Sequence, residues 1–195
     1  MTIEEIKSIL SHKTVGIAGC GGLGSNAAVS LARVGIGKLI IADYDVVDLS
    51  NLNRQYYFIE QIGEKKCFAL QRIISHINPQ CCVEAHDIKL DHETIVSLYA
   101  NVDVLIEAFD KAEMKAMLLQ TMIRSLSHIP LIMGSGLAGW GNFAAIKEQS
   151  YENIYVMGDG ETEVRDDMPP LAPRVCIVAN MQANKVLELL LKNSV

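Results

Sequence analysis

Gly19, Gly21 and Gly24 form a G-x-G-x-x-G array, with Gly22 inside it, directly after the β-branched and apolar residues 14–18. An apolar-periodic stretch carrying Ala27, Ala28, Leu31 and Val34 follows at once. Glycines so placed allow a tight strand-to-helix turn, let backbone approach a phosphate, and let the helix lie close to the strand. The first turn of that helix then offers unpaired N–H groups and a partial positive charge to an anion. Asp43 stands 19 residues beyond Gly24 (43 − 24), closing the apolar run 38–42, where a carboxylate can accept hydrogen bonds from a ribose diol. Together these residues mark a nucleotide site. The glycines alone do not say which nucleotide, because NAD, FAD and ATP users share them.

The chemistry is narrowed by Asp43-Tyr44-Asp45-Val46-Val47-Asp48-Leu49-Ser50-Asn51-Leu52-Asn53-Arg54-Gln55, by Gly63 with Lys66, and by Asp110 after a later apolar run. On these residues the chain resembles the ubiquitin-activating-enzyme-like adenylyltransferases, the family of the bacterial ThiF and MoeB proteins. The shared pattern is G-x-G-G-L-G, then D-x-D-x-V-x-x-S-N-L-x-R-Q, then a lysine after a glycine, then an aspartate closing a strand. Leu171-Ala172-Pro173-Arg174-Val175 and Met181-Gln182-Ala183 carry the resemblance toward the C-terminus. It covers the chain beyond the first dozen residues, and the Ser-Asn-Leu-x-Arg-Gln block is far more specific than the glycines.

The resemblance implies a Mg²⁺-dependent reaction joining a carboxylate to the α-phosphorus of ATP. It implies a nucleotide-contacting set of Gly19, Gly21, Gly22, Gly24, Asp43, Ser50, Asn51, Leu52, Asn53, Arg54, Lys66, Asp110 and Lys111. Gly22 would present backbone to the nucleotide, Asp43 would hold the ribose, and Asn51 would orient a phosphate or ribose oxygen. Arg54, Lys66 and Asp110 are the candidate catalytic residues. An Arg suits a forked grip on phosphate and a Lys acts as a mobile point charge. Asp110 is the candidate Mg²⁺ ligand, since this ion is usually bound by one or two carboxylates plus substrate phosphates. The implied partner is a small ubiquitin-like sulfur carrier protein ending in Gly-Gly, and the implied assembly is a homodimer. The chain has no C-x-x-C pair, and Cys81 and Cys82 are adjacent, so no structural zinc is expected. This short, zinc-free form resembles the ThiF group acting on ThiS-type carriers for thiamine thiazole synthesis. A MoeB-type role on a molybdopterin carrier is the near alternative, and a nicotinamide-dependent dehydrogenase a more distant one.

Each residue also has a plainer reading. Asp110 followed by Glu113 is a helix capping box. Lys66 beside Lys65 reads as a solvated helix lysine, and only the Gly63-x-x-Lys66 spacing separates the two. Arg54 alone reads as a surface ion-pair partner, while Asp45 and Asp48 read as acids that turn the loop. Cys176 opens the last helix, where a thiolate gains stabilisation, although packing is the commoner role for such a thiol. Residues 158–170, rich in Gly, Pro and acid, read as a mobile loop, and the resemblance implies that a crossover connection here lies over the carrier tail and helps guide it to the nucleotide. No arginine precedes Arg33, so for the N-terminal arginine that relatives supply, either Lys7 or Lys13 substitutes or the contact is absent.

The elements that must position these groups alternate. Helices are expected over residues 2–12, 63–77, 91–99 and 111–127, besides the one after the glycines and a last one carrying Val175, Ala179, Ala183, Val186 and Leu190. Strands are expected at 14–18, 38–42, 81–86 and 102–108, with an apolar run at 130–133. Residues 142–147 and 153–157 read as antiparallel strands of the same sheet. Such alternation predicts an α/β fold, a doubly wound, mostly parallel Rossmann-like sheet in one domain spanning 1–195. The 195 residues are 50% hydrophobic with a formal net charge of −6, which disfavours general nucleic-acid affinity. No run approaches the ~18 apolar residues of a membrane span. The acidic, amphipathic N-terminus and five unpatterned cysteines point to a reduced, cytoplasmic setting.

Overall fold

A computed structural model describes residues 1–192. Its strands are β1 (Thr14–Ala18), β2 (Lys38–Ala42), β3 (Cys82–His86), β4 (Val104–Glu107), β5 (Leu131–Gly134), β6 (Lys147–Tyr151) and β7 (Ile154–Gly158). They form one seven-stranded sheet in the order β3-β2-β1-β4-β5-β7-β6, parallel throughout except for the β6–β7 pair. The chain winds outward from β1 in both directions, through β2 to β3 and through β4 to β5. That reversal opens a crevice at the carboxyl ends of β1 and β4, the usual place for a ligand in such sheets.

Helices α1 (Ile3–Leu10), α2 (Gly22–Val34), α3 (Lys66–Ile77), α4 (His92–Tyr99), α5 (Ala112–Ser125) and α6 (Ala172–Lys192) cover both faces. Alternation along β4 shows how. Val104 and Ile106 point into one core with Leu31 of α2, Leu70 of α3 and Val178 of α6. Leu105 points into the other with Tyr99 of α4 and Leu118 of α5. Burying one such side chain stabilises the fold by roughly 1.5–3 kcal/mol. Helix starts are specified locally: at α1 the Thr2 hydroxyl accepts from the Glu5 amide (3.2 Å) while the Glu5 carboxylate accepts from the Thr2 amide (2.7 Å).

The structure corrects three expectations. α3 starts at Lys66, not Gly63, because Gly63 has φ +88° and Lys65 is extended, bridged to Val46. The penultimate strand is Lys147–Tyr151, not 142–147; residues 143–145 form a short helical turn after the left-handed Asn142. Its Lys-Glu-Gln-Ser-Tyr sequence lacks an apolar stripe because it is the sheet's edge, where charged side chains are favoured. Finally, α5 is capped at Lys111 with no side-chain hydrogen bond, so Asp110 does not act as the expected cap.

Candidate active site

The glycine loop takes a shape that side chains forbid. Gly19 has φ +103°, and a Cβ on Gly24 would lie 1.9 Å from the Gly19 carbonyl oxygen. The second approach lets α2 begin immediately behind β1. Gly21 caps α2 without a side-chain bond, leaving its first-turn amides for another acceptor. Asp43, at the end of β2, accepts from the Cys20 amide (2.6 Å) and the Asp45 amide (2.8 Å), which fixes its carboxylate beside the loop. Burial pushes the Asp43 carboxyl up, against the pull of these two amides and of Lys66.

Past Asp43 the chain makes a tight turn. Asp48 accepts from the Ser50 amide and hydroxyl, and the Asn51 side chain accepts from the Asp48 amide. Arg54 then returns to the cavity, its Nη1 donating to the Ser50 carbonyl (3.1 Å) and the Asn53 side-chain oxygen (2.7 Å). The Asn26 amide group of α2 donates to the Gly22 and Arg54 carbonyls (2.7 and 2.9 Å), tying this turn to the glycine loop. Burial lowers the Arg54 guanidinium pKa, and the Asp110 charge opposes that shift, so the two side chains sense each other. Lys66 is buried and pairs with Asp45 at 2.9 Å, whereas Lys65 pairs with Asp87 on the outside.

These groups surround a cavity of about 660 Å³ at the carboxyl ends of the strands. Of the residues expected from sequence, Gly19, Gly21, Gly22, Asp43, Arg54, Lys66, Asp110 and Lys111 line it. Gly24 supports the loop from behind. Ser50, Asn51, Leu52 and Asn53 do not line it; they build the turn that aims Arg54. Ile88, Leu90, Phe109 and Met114 add an apolar portion able to take a base.

Some residues of the site escaped the sequence reading. Asp45 is an ion-pair partner of Lys66 rather than only a loop acid. Glu107 is fully buried at the end of β4, where it accepts from Lys115 (2.8 and 2.9 Å) and the Phe109 amide (2.6 Å). Burial raises its pKa while Lys115 opposes the rise. Lys115 also donates to the Gly134 carbonyl (2.9 Å), joining α5, β4 and β5 under the cavity. A charge inside the apolar strand Val104-Leu105-Ile106-Glu107 was the available signal. Ser135, Gly136 and Leu137, with Thr162, Glu163 and Val164, complete the lining. Cys176 donates to the Asn26 side-chain oxygen (3.4 Å), and burial pushes its thiol up, so the packing role holds and no thiolate is favoured.

The fold and this cavity define a doubly wound α/β nucleotide-binding domain. The ThiF family model matches residues 3–195, and the chain belongs to the ThiF family. It is 30% identical over 190 residues to "Adenylyltransferase and sulfurtransferase MOCS3" of Dictyostelium discoideum, an alignment covering 94% of this chain and 44% of that protein. It is 35% identical over 131 residues to the tRNA threonylcarbamoyladenosine dehydratase of Bacillus subtilis, covering 66% of this chain and 51% of that protein. The chain thus spans between 22% and 51% of the length of such curated relatives. Among solved structures, E. coli tRNA N6-threonylcarbamoyladenosine dehydratase in complex with ATP superposes with a TM-score of 0.88 at 21% identity, covering 98% of this chain and 90% of that one. That likeness is one of fold.

Proposed function

We propose that the protein uses ATP to adenylylate the C-terminal glycine carboxylate of a small ubiquitin-like sulfur carrier, of ThiS type, releasing pyrophosphate. The observation that carries this reading is the convergence of Asp43, Arg54, Lys66 and Asp110 on one cavity beside uncapped α2 amides. A dehydrogenase needs the glycine loop and the ribose acid but has no use for two cations and a second carboxylate around the phosphates.

In the proposed reaction a carboxylate oxygen of the carrier attacks the α-phosphorus. The bond from that phosphorus to the bridging oxygen breaks, and pyrophosphate leaves with the electron pair. Asp43 holds the ribose, and the α2 amides with Arg54 and Lys66 face the negative charge that grows on the phosphates. Fixed charges of this kind supply much of the catalysis in phosphoryl-type transfers. Lys66 is held by Asp45 before the nucleotide arrives, so the ammonium is already in place. Asp110, uncommitted to the α5 cap and facing the cavity, fits a Mg²⁺ ligand. Bound there, the ion would neutralise phosphate charge. No thiol takes part in forming the acyl adenylate.

A second reading, action on a threonylcarbamoyladenosine-bearing tRNA, draws on the Bacillus subtilis relative. The formal charge of −6 weighs against it, since nucleic-acid affinity rests on Lys and Arg neutralising phosphates. The two are separated by mass spectrometry of a carrier incubated with the protein and MgATP. Addition of an AMP moiety to a carrier ending in Gly-Gly, and not to one lacking that tail, is expected. Addition to neither, with turnover of modified tRNA, would replace the proposal.

A further inference from the structure

Arg174, the third residue of α6, is buried and paired with the equally buried Asp159, which follows β7. Its Nη1 donates to the Gly141 carbonyl (2.6 Å) in the loop after β5, and its Nε has no partner among the described residues. Asp159 in turn accepts from the amides of Glu161 (2.9 Å) and Thr162 (2.8 Å) and from the Thr162 hydroxyl. Burial alone would raise the Asp159 carboxyl, but the Thr162 and Glu161 donors and the Arg174 charge bring it below the ordinary carboxylate range. The two loops are laced together by backbone as well: Asp159 and Gly160 amides donate to the Gly136 and Ser135 carbonyls (both 3.2 Å), and the Gly139 amide donates to the Pro169 carbonyl (2.9 Å). One ion pair therefore ties the loop after β5, the loop after β7 and the start of α6.

Neither Arg174 nor Asp159 lines the cavity. The residues they hold, Thr162, Glu163 and Val164, do, together with Ser135 and Gly136. This part of the lining bears the Glu163 carboxylate, a hydrogen-bond acceptor, and no Lys or Arg to grip a phosphate. It suits a peptide, whose backbone N–H groups seek acceptors. Buried ion pairs contribute little net stability, and their best-attested use is to select one geometry.

We propose that the Arg174–Asp159 pair is a positioning device for the acceptor: it sets residues 162–164 and 135–136 as the surface along which a carboxylate-ended peptide tail reaches the nucleotide. This rests on the adenylylation reading. Nucleotide binding itself is left to the glycine loop, Asp43, Arg54 and Lys66, none of which the pair touches.

The test compares the unaltered protein with Arg174→Lys and with the double variant Arg174→Gln/Asp159→Asn, which leaves no lone buried charge. The readouts are the ATP dissociation constant, KM and kcat in pyrophosphate exchange with a carrier ending in Gly-Gly, and hydrogen exchange at the Glu161 and Thr162 amides. The double variant should raise the carrier KM about tenfold or more, the scale of one lost charge-assisted contact. The ATP constant and kcat should stay within about threefold, a difference under 1 kcal/mol. The two amides should exchange faster, and Arg174→Lys, which keeps the charge, should fall between. If the double variant does not fold, Arg174→Lys carries the same comparison. An unchanged carrier KM, or equal weakening of carrier and ATP, would overturn the positioning role. Absence of carrier-dependent exchange in the unaltered protein would instead overturn the adenylylation reading beneath it.

Discussion

Two sets of residues line the cavity, and they are built by different means. The set from residues 19–66 comes from one continuous stretch of chain and is local in that sense. Gly19, Asp43, Arg54 and Lys66 each sit beside the strand end, turn or helix start that aims them, held by bonds within the turns and between the ends of β1 and β2. The set from residues 134–137 and 162–164 is assembled across the fold. There the pair between Arg174 and Asp159 and the backbone lacing of two loops set the geometry. Under the proposed function the local set handles the nucleotide, and under our further inference the assembled one places the acceptor.

Breaking the local set should cost most. Arg54→Ala and Asp110→Asn are each expected to lower pyrophosphate-exchange turnover by about 10²- to 10³-fold, the scale of one lost transition-state charge contact. Asp110→Asn is informative because α5 is not capped by this side chain, so the melting temperature should hold while turnover falls. A loss of stability with normal turnover would return Asp110 to a structural role.

Gly24→Ala attacks the frame rather than the charges. Its Cβ would meet the Gly19 carbonyl oxygen at 1.9 Å, so backbone must move. Overpacking of that kind destabilises by roughly 1–3 kcal/mol, and ATP affinity should fall with it. Calorimetry of unfolding together with ATP titration checks both.

Acidification sharpens the comparison more gently. Burial raises the Asp43 carboxyl, so it takes up a proton at a higher pH than the ~4 of an exposed aspartate. Protonation removes an acceptor for a ribose hydroxyl and for the Cys20 amide. ATP affinity should therefore weaken on lowering the pH while still above the ordinary carboxylate range. Asp43→Asn should bind ATP more weakly and lose this dependence, which ATP titrations across pH would show.

Cys176→Ser should change least. The thiol packs against Asn26 with its pKa raised, and adenylation uses no thiol, so exchange turnover is expected to stay within about threefold, under 1 kcal/mol. A large loss would give Cys176 a part in the chemistry.

How much of this was legible follows the same division. The mostly parallel, doubly wound sheet and the glycine loop could be read because alternating apolar periods and glycine spacing carry them. The resemblance pointed to Asp43, Arg54, Lys66 and Asp110, which the fold brings to one cavity. Lys66 over Lys65 rested on the Gly63-x-x-Lys66 spacing alone, and the fold turns Lys66 to Asp45 and the cavity and Lys65 to Asp87 outside. Asp45 looked like a turn residue because its partner lies 21 residues away. Edge strand β6 was misplaced because an exposed edge carries no apolar period, while the apolar residues before it fall in a turn. The Arg174–Asp159 pair was invisible because nothing in a sequence shows that residues from two elements share one buried site.

The central claim is most directly tested by ATP–pyrophosphate exchange with Mg²⁺ and a purified ubiquitin-like carrier ending in Gly-Gly. Exchange that requires both the carrier and its free C-terminal carboxylate, and that collapses in Asp110→Asn, is the expected result. Tight NAD binding with no exchange for any Gly-Gly-ended carrier would contradict it.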